Sequence, residues 1–181
     1  HDLLLKLKAY GLSDPAISLL ESYLTDRKQC IWLGSTVSSW LSIIKGVPQG
    51  SILGPVLFNI FINDIFYFVT YSTLYNYADD NTVSYAHSDK TTVTTALVND
   101  SLSLISWFYD NKMLANPEKF QAISFGKKSS NEITSSDFNG FHIKCESEVK
   151  LLGVTVDSFL KFNTHISNIC KKASRQLNAL K

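Results

Sequence analysis

The sequence has little charge to spare. Seventeen basic and sixteen acidic side chains leave a formal net charge of +1, so no overall basic excess marks the chain as a nucleic-acid binder. A polyanion partner must be held by local patches or by polypeptide outside this chain. Cysteine is scarce: Cys30, Cys145 and Cys170 are the three present, and none shares a CxxC spacing. That argues against a disulfide framework and a zinc site and fits buried or semi-buried thiols in a reducing, intracellular compartment. A long apolar run is lacking too. The best one, PVLFNIFINDIFYFVT, is interrupted by Asn59, Asn63 and Asp64, which speaks against a membrane span, and no signal-peptide pattern is visible. The first residue is His1 rather than Met and a helical pattern starts at once, so the expectation is an internal piece of a longer polypeptide.

What is present describes a globular body. The 181 residues are 45% hydrophobic and 18% charged, enough for one compact domain or one well-cored part of a larger one. DLLLKLKAY predicts a helix ending at Gly11, and Ser13 predicts the N-cap of a second helix with Pro15 in its first turn. QCIWLG and SSWLSIIK read as a strand pair around Gly34-Ser35. Glycine and proline crowd into KGVPQGSILGP, residues 45–55, a loop. The helix expected over 54–68 is apolar on nearly every side, which implies burial. TLYNYADDNTVSYA reads as a hairpin with turn chemistry at its tip. Val93, Leu97, Leu104, Ile105, Phe108 and Met113 recur at helical period over 89–113. Three strands are expected in FQAISFG, FHIKCES and VKLLGVTVD, around a Ser- and Asn-rich loop at 129–137, before a last helix over 163–180. No repeat or linker divides 1–181, and helices with antiparallel hairpins, without βαβ alternation, make the fold class α+β.

Two stretches carry chemistry. Asp79 and Asp80 are adjacent carboxylates at the hairpin tip. One reading is a turn, since Asp and Asn tolerate left-handed backbone; the other is a rigid tip offering hard oxygen ligands to Mg²⁺. The loop GVPQGSILGP is either a plain connector or a backbone able to approach an anionic or planar ligand, with Gln49 beside it. The two stretches lie about 30 residues apart, joined by the apolar helix.

GVPQGSILGPVLFNIFINDI followed by YADDNTV resembles the palm of reverse transcriptases of the non-LTR (LINE-like) retrotransposon type. NPEKFQAISFG resembles the lysine-bearing motif that comes next, VKLLGVTVDSFLKFNTHI the following strand pair and helix, and HDLLLKLKAYGLS the segment just after the family's first catalytic motif. The resemblance runs in order through essentially the whole chain. It implies a palm-type antiparallel sheet with packed helices, N-terminally truncated. It also implies an RNA-directed DNA polymerase that uses RNA template, DNA primer and deoxynucleoside triphosphates, with two Mg²⁺ (or Mn²⁺) ions about 4 Å apart stabilising the attacking and leaving oxygens.

By that resemblance Asp79 and Asp80 are metal ligands, Asp79 the main one. Pro48, Gln49 and Gly50 line the nucleotide pocket, and Lys119 reaches the triphosphate, where it neutralises charge or donates a proton. A solvated lysine after a turn remains the other reading of Lys119, and Phe120 stands where the family commonly has threonine. Tyr77 and Ala78 shape the floor under primer and template, or Tyr77 packs in the core. Leu152 and Gly153 lie in the primer-gripping segment, which on sequence alone is an ordinary buried strand. Lys171, Lys172 and Arg175 on the last helix track duplex phosphates or form a solvated helix end. The family's further catalytic aspartate lies just upstream of the segment that resembles residues 1–13, so the isolated chain is expected to be inactive. A nuclear location is implied by family. The alternative is a decayed or domesticated remnant that binds nucleic acid or protein and catalyses nothing.

Overall fold

A computed structural model describes residues 2–126, 135–138 and 141–179. The chain divides into two compact units: His1–Tyr67 with Tyr77–Asp79, and Phe68–Asn76 with Asp80–Lys181.

In the first unit, helix α1 (Asp2–Ala9) packs on α2 (Asp14–Leu24) and on α3 (Leu53–Ile62). Gly11 terminates α1 as expected. Its φ of +88° lets the Gly11 and Leu12 amides donate back to the carbonyls of Lys8 (2.9 Å) and Leu7 (3.2 Å), the Schellman closure that glycine favours. Ser13 precedes α2 in extended backbone, but its side chain makes no capping hydrogen bond. The strand pair is realised as two nested hairpins: β1 (Lys28–Gln29) with β4 (Leu41–Ser42), and β2 (Trp32–Leu33) with β3 (Thr36–Val37). Arg27 ties the end of α2 to the loop beyond them, its guanidinium donating to the carbonyls of Leu24 and Gly46.

The apolar helix differs from expectation. α3 stops at Ile62, and a 3₁₀ turn continues through Asn63–Phe68. Gly54, Leu57, Ile62 and Ile65 are buried, whereas Val56, Phe66, Tyr67 and Phe68 are exposed. Only one face is covered. Lys6 of α1 fixes this junction: its ammonium donates to the Phe61 carbonyl (2.7 Å) and the Asp64 carboxylate (2.8 Å) and lies 4.4 Å from the Phe61 ring centre. No helix among the described residues is long and apolar enough to cross a membrane.

The second unit is built on α4 (Lys90–Asp110), which packs against β6 (Asp80–Ser84) and β8 (Ser135–Phe138). Asp89 caps it, accepting from the Thr92 amide at 2.8 Å. The Thr92 hydroxyl and amide hold the Asp89 carboxyl below the ordinary carboxylate range. α4 ends three residues short of the expected Met113. Lys112 takes φ +58°, and the Lys112 and Met113 amides return to the carbonyls of Tyr109 and Phe108. The buried stripe is Ala96, Asp100, Leu104 and Trp107; of the stripe expected from hydropathy Leu104 is buried, while Val93, Leu97, Ile105, Phe108 and Met113 are half-buried.

β7 (Ala122–Ile123) runs parallel to β9 (Phe141–Glu146), which pairs antiparallel with β8. The expected loop over 129–137 is interrupted by β8 from residue 135, and residues 129–134 lie outside the described residues. β10 (Glu148–Leu151) and β11 (Val154–Asp157) form a hairpin where the residues alone read as a single strand and the resemblance implied a strand pair, and β11 packs against α5 (Asn163–Ala179). Helices and mostly antiparallel small sheets make the fold α+β.

Candidate functional site

The hairpin of β5 (Thr73–Tyr77) and β6 presents the two carboxylates. Leu74 and Asn76 are half-buried while Thr73, Tyr75 and Tyr77 face solvent, the period-2 pattern of a strand covered on one face. The Asn76 amide donates to Asn81 Oδ1 across the ladder at 2.9 Å. Between the strands lie only Ala78 and Asp79. Ala78 takes φ +53°, whereas Asp79 and Asp80 keep negative φ. A positive φ at the first central position is what a type II′ turn needs, and glycine usually fills it. The sequence assigned that task to Asp or Asn; the structure gives it to alanine, at a cost of about 1–2 kcal/mol. The aspartates are thus freed from the steric role of the turn. Both are exposed, and Tyr77 is 68% exposed, which excludes Tyr77 as a core aromatic.

The glycine-rich loop is organised by Ser51 and Gly54. The Ser51 hydroxyl donates to the Pro48 carbonyl (2.8 Å) and accepts from the Gly54 amide (2.9 Å). A Cβ on Gly54 would lie 2.8 Å from the Pro48 carbonyl oxygen and 2.9 Å from Ser51 Oγ, so the loop and the first turn of α3 touch only because residue 54 is glycine. Gly50 plays a different part from Gly54. It has φ +81° and open space around its Cα, leaving its backbone bare to solvent beside an exposed Gln49; Pro48 is half-buried.

Lys119 is exposed at the end of a 3₁₀ turn, Pro117–Lys119. Asn116 shapes that turn, its side chain accepting from the Glu118 amide (3.1 Å) and its carbonyl from the Lys119 amide (3.0 Å). Leu152 and Gly153 are the two turn residues of the β10–β11 hairpin, at φ +47° and +85°, so the expectation of a buried strand there is overturned. Two positive φ values define a type I′ turn, which favours Asn-Gly. Leucine there is strained, and its side chain is 55% exposed. Asp157 follows: its carboxylate accepts amides of Phe159, Lys161 and Phe162 (3.0, 3.2 and 2.6 Å) and turns the chain into α5. Burial works to raise its pKa, but those donors outweigh it and hold the carboxyl low.

Sequence reasoning passed over Asp100. It is 1% exposed and accepts backbone amides from Thr70 (Oδ1, 2.9 Å), Tyr71 (Oδ2, 2.9 Å) and Ser72 (Oδ2, 2.6 Å). Burial pushes its pKa up, yet the donors from Thr70, Ser72 and Tyr71 prevail and keep it below the ordinary range. The signal was available: a charge at position 100 stands between Leu97 and Leu104 on an apolar stripe, and a buried charge must be paired.

Comparison with known proteins gives this arrangement its family. The model of reverse transcriptase (RNA-dependent DNA polymerase) matches residues 1–156. The chain belongs to the reverse transcriptase family. Its relatives include the probable RNA-directed DNA polymerase from transposon BS of Drosophila melanogaster, 26% identical over all of this chain and 21% of the relative. The RNA-directed DNA polymerase from mobile element jockey of the same organism is 29% identical over 90% of this chain and 18% of its own length. The probable polymerase from transposon X-element is 27% identical over 91% and 18%. This reverse transcriptase chain therefore spans about a fifth of the length of the curated relatives it matches. No solved structure gives a significant match.

The residues fit a divalent cation in part. Asp79 and Asp80 are hard oxygen donors on an exposed turn, suited to an ion held by one or two carboxylates plus substrate phosphates. Among the described residues, no three His, Cys, Asp or Glu side chains come together as a metal site.

Proposed function

We propose that this chain is a palm segment of a retrotransposon RNA-directed DNA polymerase, acting on an RNA template, a DNA primer and deoxynucleoside triphosphates. One observation carries the reading. A single family match covers residues 1–156, a range that includes the Pro48–Gly50 loop, the Asp79–Asp80 turn, Lys119 and the Leu152–Gly153 turn, and all of these residues but the half-buried Pro48 are exposed.

Asp79 and Asp80 hold the divalent ions, Mg²⁺ or Mn²⁺, with Asp79 the principal ligand. Such ions supply charge stabilisation at the attacking and leaving oxygens of the in-line displacement. Gly50 leaves room for the nucleotide to meet main chain, with Gln49 and Pro48 beside it. Lys119 neutralises the triphosphate or gives a proton to the departing pyrophosphate. Tyr77 and Ala78 present a flat, uncharged surface beside the carboxylates, and the Leu152–Gly153 tip offers apolar contact to the primer end. Among the described residues no further His, Cys, Asp or Glu side chain completes a metal site with Asp79 and Asp80, and the chain by itself is expected to extend no primer.

The test is a chimera in which this chain replaces the matching segment of the jockey polymerase. RNA-templated primer extension by the chimera, abolished by Asp79→Ala, is the expected result. Extension that survives Asp79→Ala refutes the assignment. A chimera that binds nucleic acid but never extends a primer identifies instead a non-catalytic remnant.

A further inference from the structure

We propose that Asp100 is a positioning residue for the acidic turn: it fixes the root of the β5–β6 hairpin and so sets where Asp79 and Asp80 stand. The inference rests on the metal-binding reading of that turn.

β5 and β6 form a two-stranded sheet, with no other strand pairing to either among the described residues, and a two-stranded hairpin alone is marginal in water. α4 packs against β6, and the three residues that lead into β5 are tied to the same helix. Those three, Thr70, Tyr71 and Ser72, all donate their amides to the one carboxylate of Asp100. Three consecutive amides converging on two oxygens fix the local backbone dihedrals, and Ser72 is bonded directly to Thr73, the first residue of the strand.

The lever is short but sensitive. From Thr73 to Tyr77 the strand runs roughly 13 Å, so a tilt of about 10° at the root moves the tip by about 2 Å. Metal–ligand distances tolerate only about 0.2 Å. The carboxylate's place in the helix is also costly, because a charge on the apolar stripe of α4 must be fully paired. An apolar side chain would pack there without that demand, but it would leave three amides unsatisfied and the strand root unfixed.

Asp100→Asn tests this with little change of volume. Asparagine keeps one acceptor and turns the other oxygen into a donor facing the amides it served. Two measurements on the chain decide: hydrogen exchange resolved for the hairpin and for the C-terminal half of α4, and Mn²⁺ affinity by electron paramagnetic resonance with deoxynucleoside triphosphate present. Asp110→Asn, which removes one charge from the exposed end of the same helix, is the control.

The expected result in Asp100→Asn is hairpin exchange faster by about tenfold with α4 protection retained, and Mn²⁺ affinity weaker by about 10–100-fold. Asp110→Asn moves neither. Hairpin exchange and Mn²⁺ affinity equal to wild type overturn the proposal, as does loosening of the hairpin and α4 to the same extent, which marks a merely structural role. If Asp100→Asn does not fold, Asp100→Glu carries the test. It retains the charge but displaces it by one methylene, and faster hairpin exchange is again expected, whereas wild-type exchange refutes the proposal. A wild-type chain with no Asp79-dependent Mn²⁺ signal refutes the metal reading of the turn instead, and the hairpin exchange still reports on Asp100.

Discussion

Gly54→Ala is the sharpest probe of how the Pro48–Gly50 loop is held. Two effects oppose each other. Gly54 lies inside α3, where alanine is favoured over glycine by about 1 kcal/mol through helix propensity. Against this, the new methyl would stand 2.8 Å from the Pro48 carbonyl oxygen and 2.9 Å from Ser51 Oγ, well inside van der Waals contact. Ser51 can swing away only by giving up both of its hydrogen bonds, to the Pro48 carbonyl and from the Gly54 amide, a loss of about 1–2 kcal/mol. The carbonyl is main chain and can move only with the loop, and overpacking of this kind costs about 1–3 kcal/mol. The net expectation is destabilisation by about 1–3 kcal/mol, measured by urea denaturation of the chain. In Ser51→Ala, where the hydroxyl contacts are already gone, the added cost of Gly54→Ala falls by about 1 kcal/mol. A Gly54→Ala variant more stable than wild type by its full helix-propensity gain would refute the reasoning, since it would mean that the loop is not pinned to the helix.

Three further outcomes follow from backbone geometry and charge. Ala78→Gly relieves a left-handed alanine and raises stability by about 1 kcal/mol in thermal or urea denaturation. Leu152→Asn puts the residue favoured by a type I′ turn at φ +47°; because the leucine is exposed, stability rises by about 1 kcal/mol while the proposed primer contact is lost. Asp100 has a folded pKa below its ordinary value, so its stabilisation is present above about pH 4 and lost as pH falls through the folded pKa. The urea midpoint of wild type should therefore drop between pH 5 and pH 3 by more than that of Asp100→Asn.

Local signals were the legible ones. Gly11 ended α1 because glycine alone takes its φ without cost, and the Gly34-Ser35 pair located the nested hairpins. The α3 segment misled because an all-apolar run states only that burial is available. Val56, Phe66 and Phe68 remain exposed in this chain, so hydropathy could not say which face is covered. Leu152 misled for the opposite reason: leucine is a poor turn former, and only the backbone shows it in one. The hairpin around Asp79 and Asp80 was read correctly, but not the chemistry of its turn, since alanine carries the left-handed conformation. The tie from Asp100 to Thr70–Ser72 joins residues about 30 positions apart, beyond any periodicity or turn rule.

The account stands most directly on whether Asp79 holds a divalent cation. Titration of the chain with Mn²⁺ in the presence of deoxynucleoside triphosphate, followed by electron paramagnetic resonance, decides it. Protein-bound Mn²⁺ is expected, with affinity that weakens at least about tenfold in Asp79→Ala and less in Asp80→Ala. Equal binding by wild type and Asp79→Ala would contradict it.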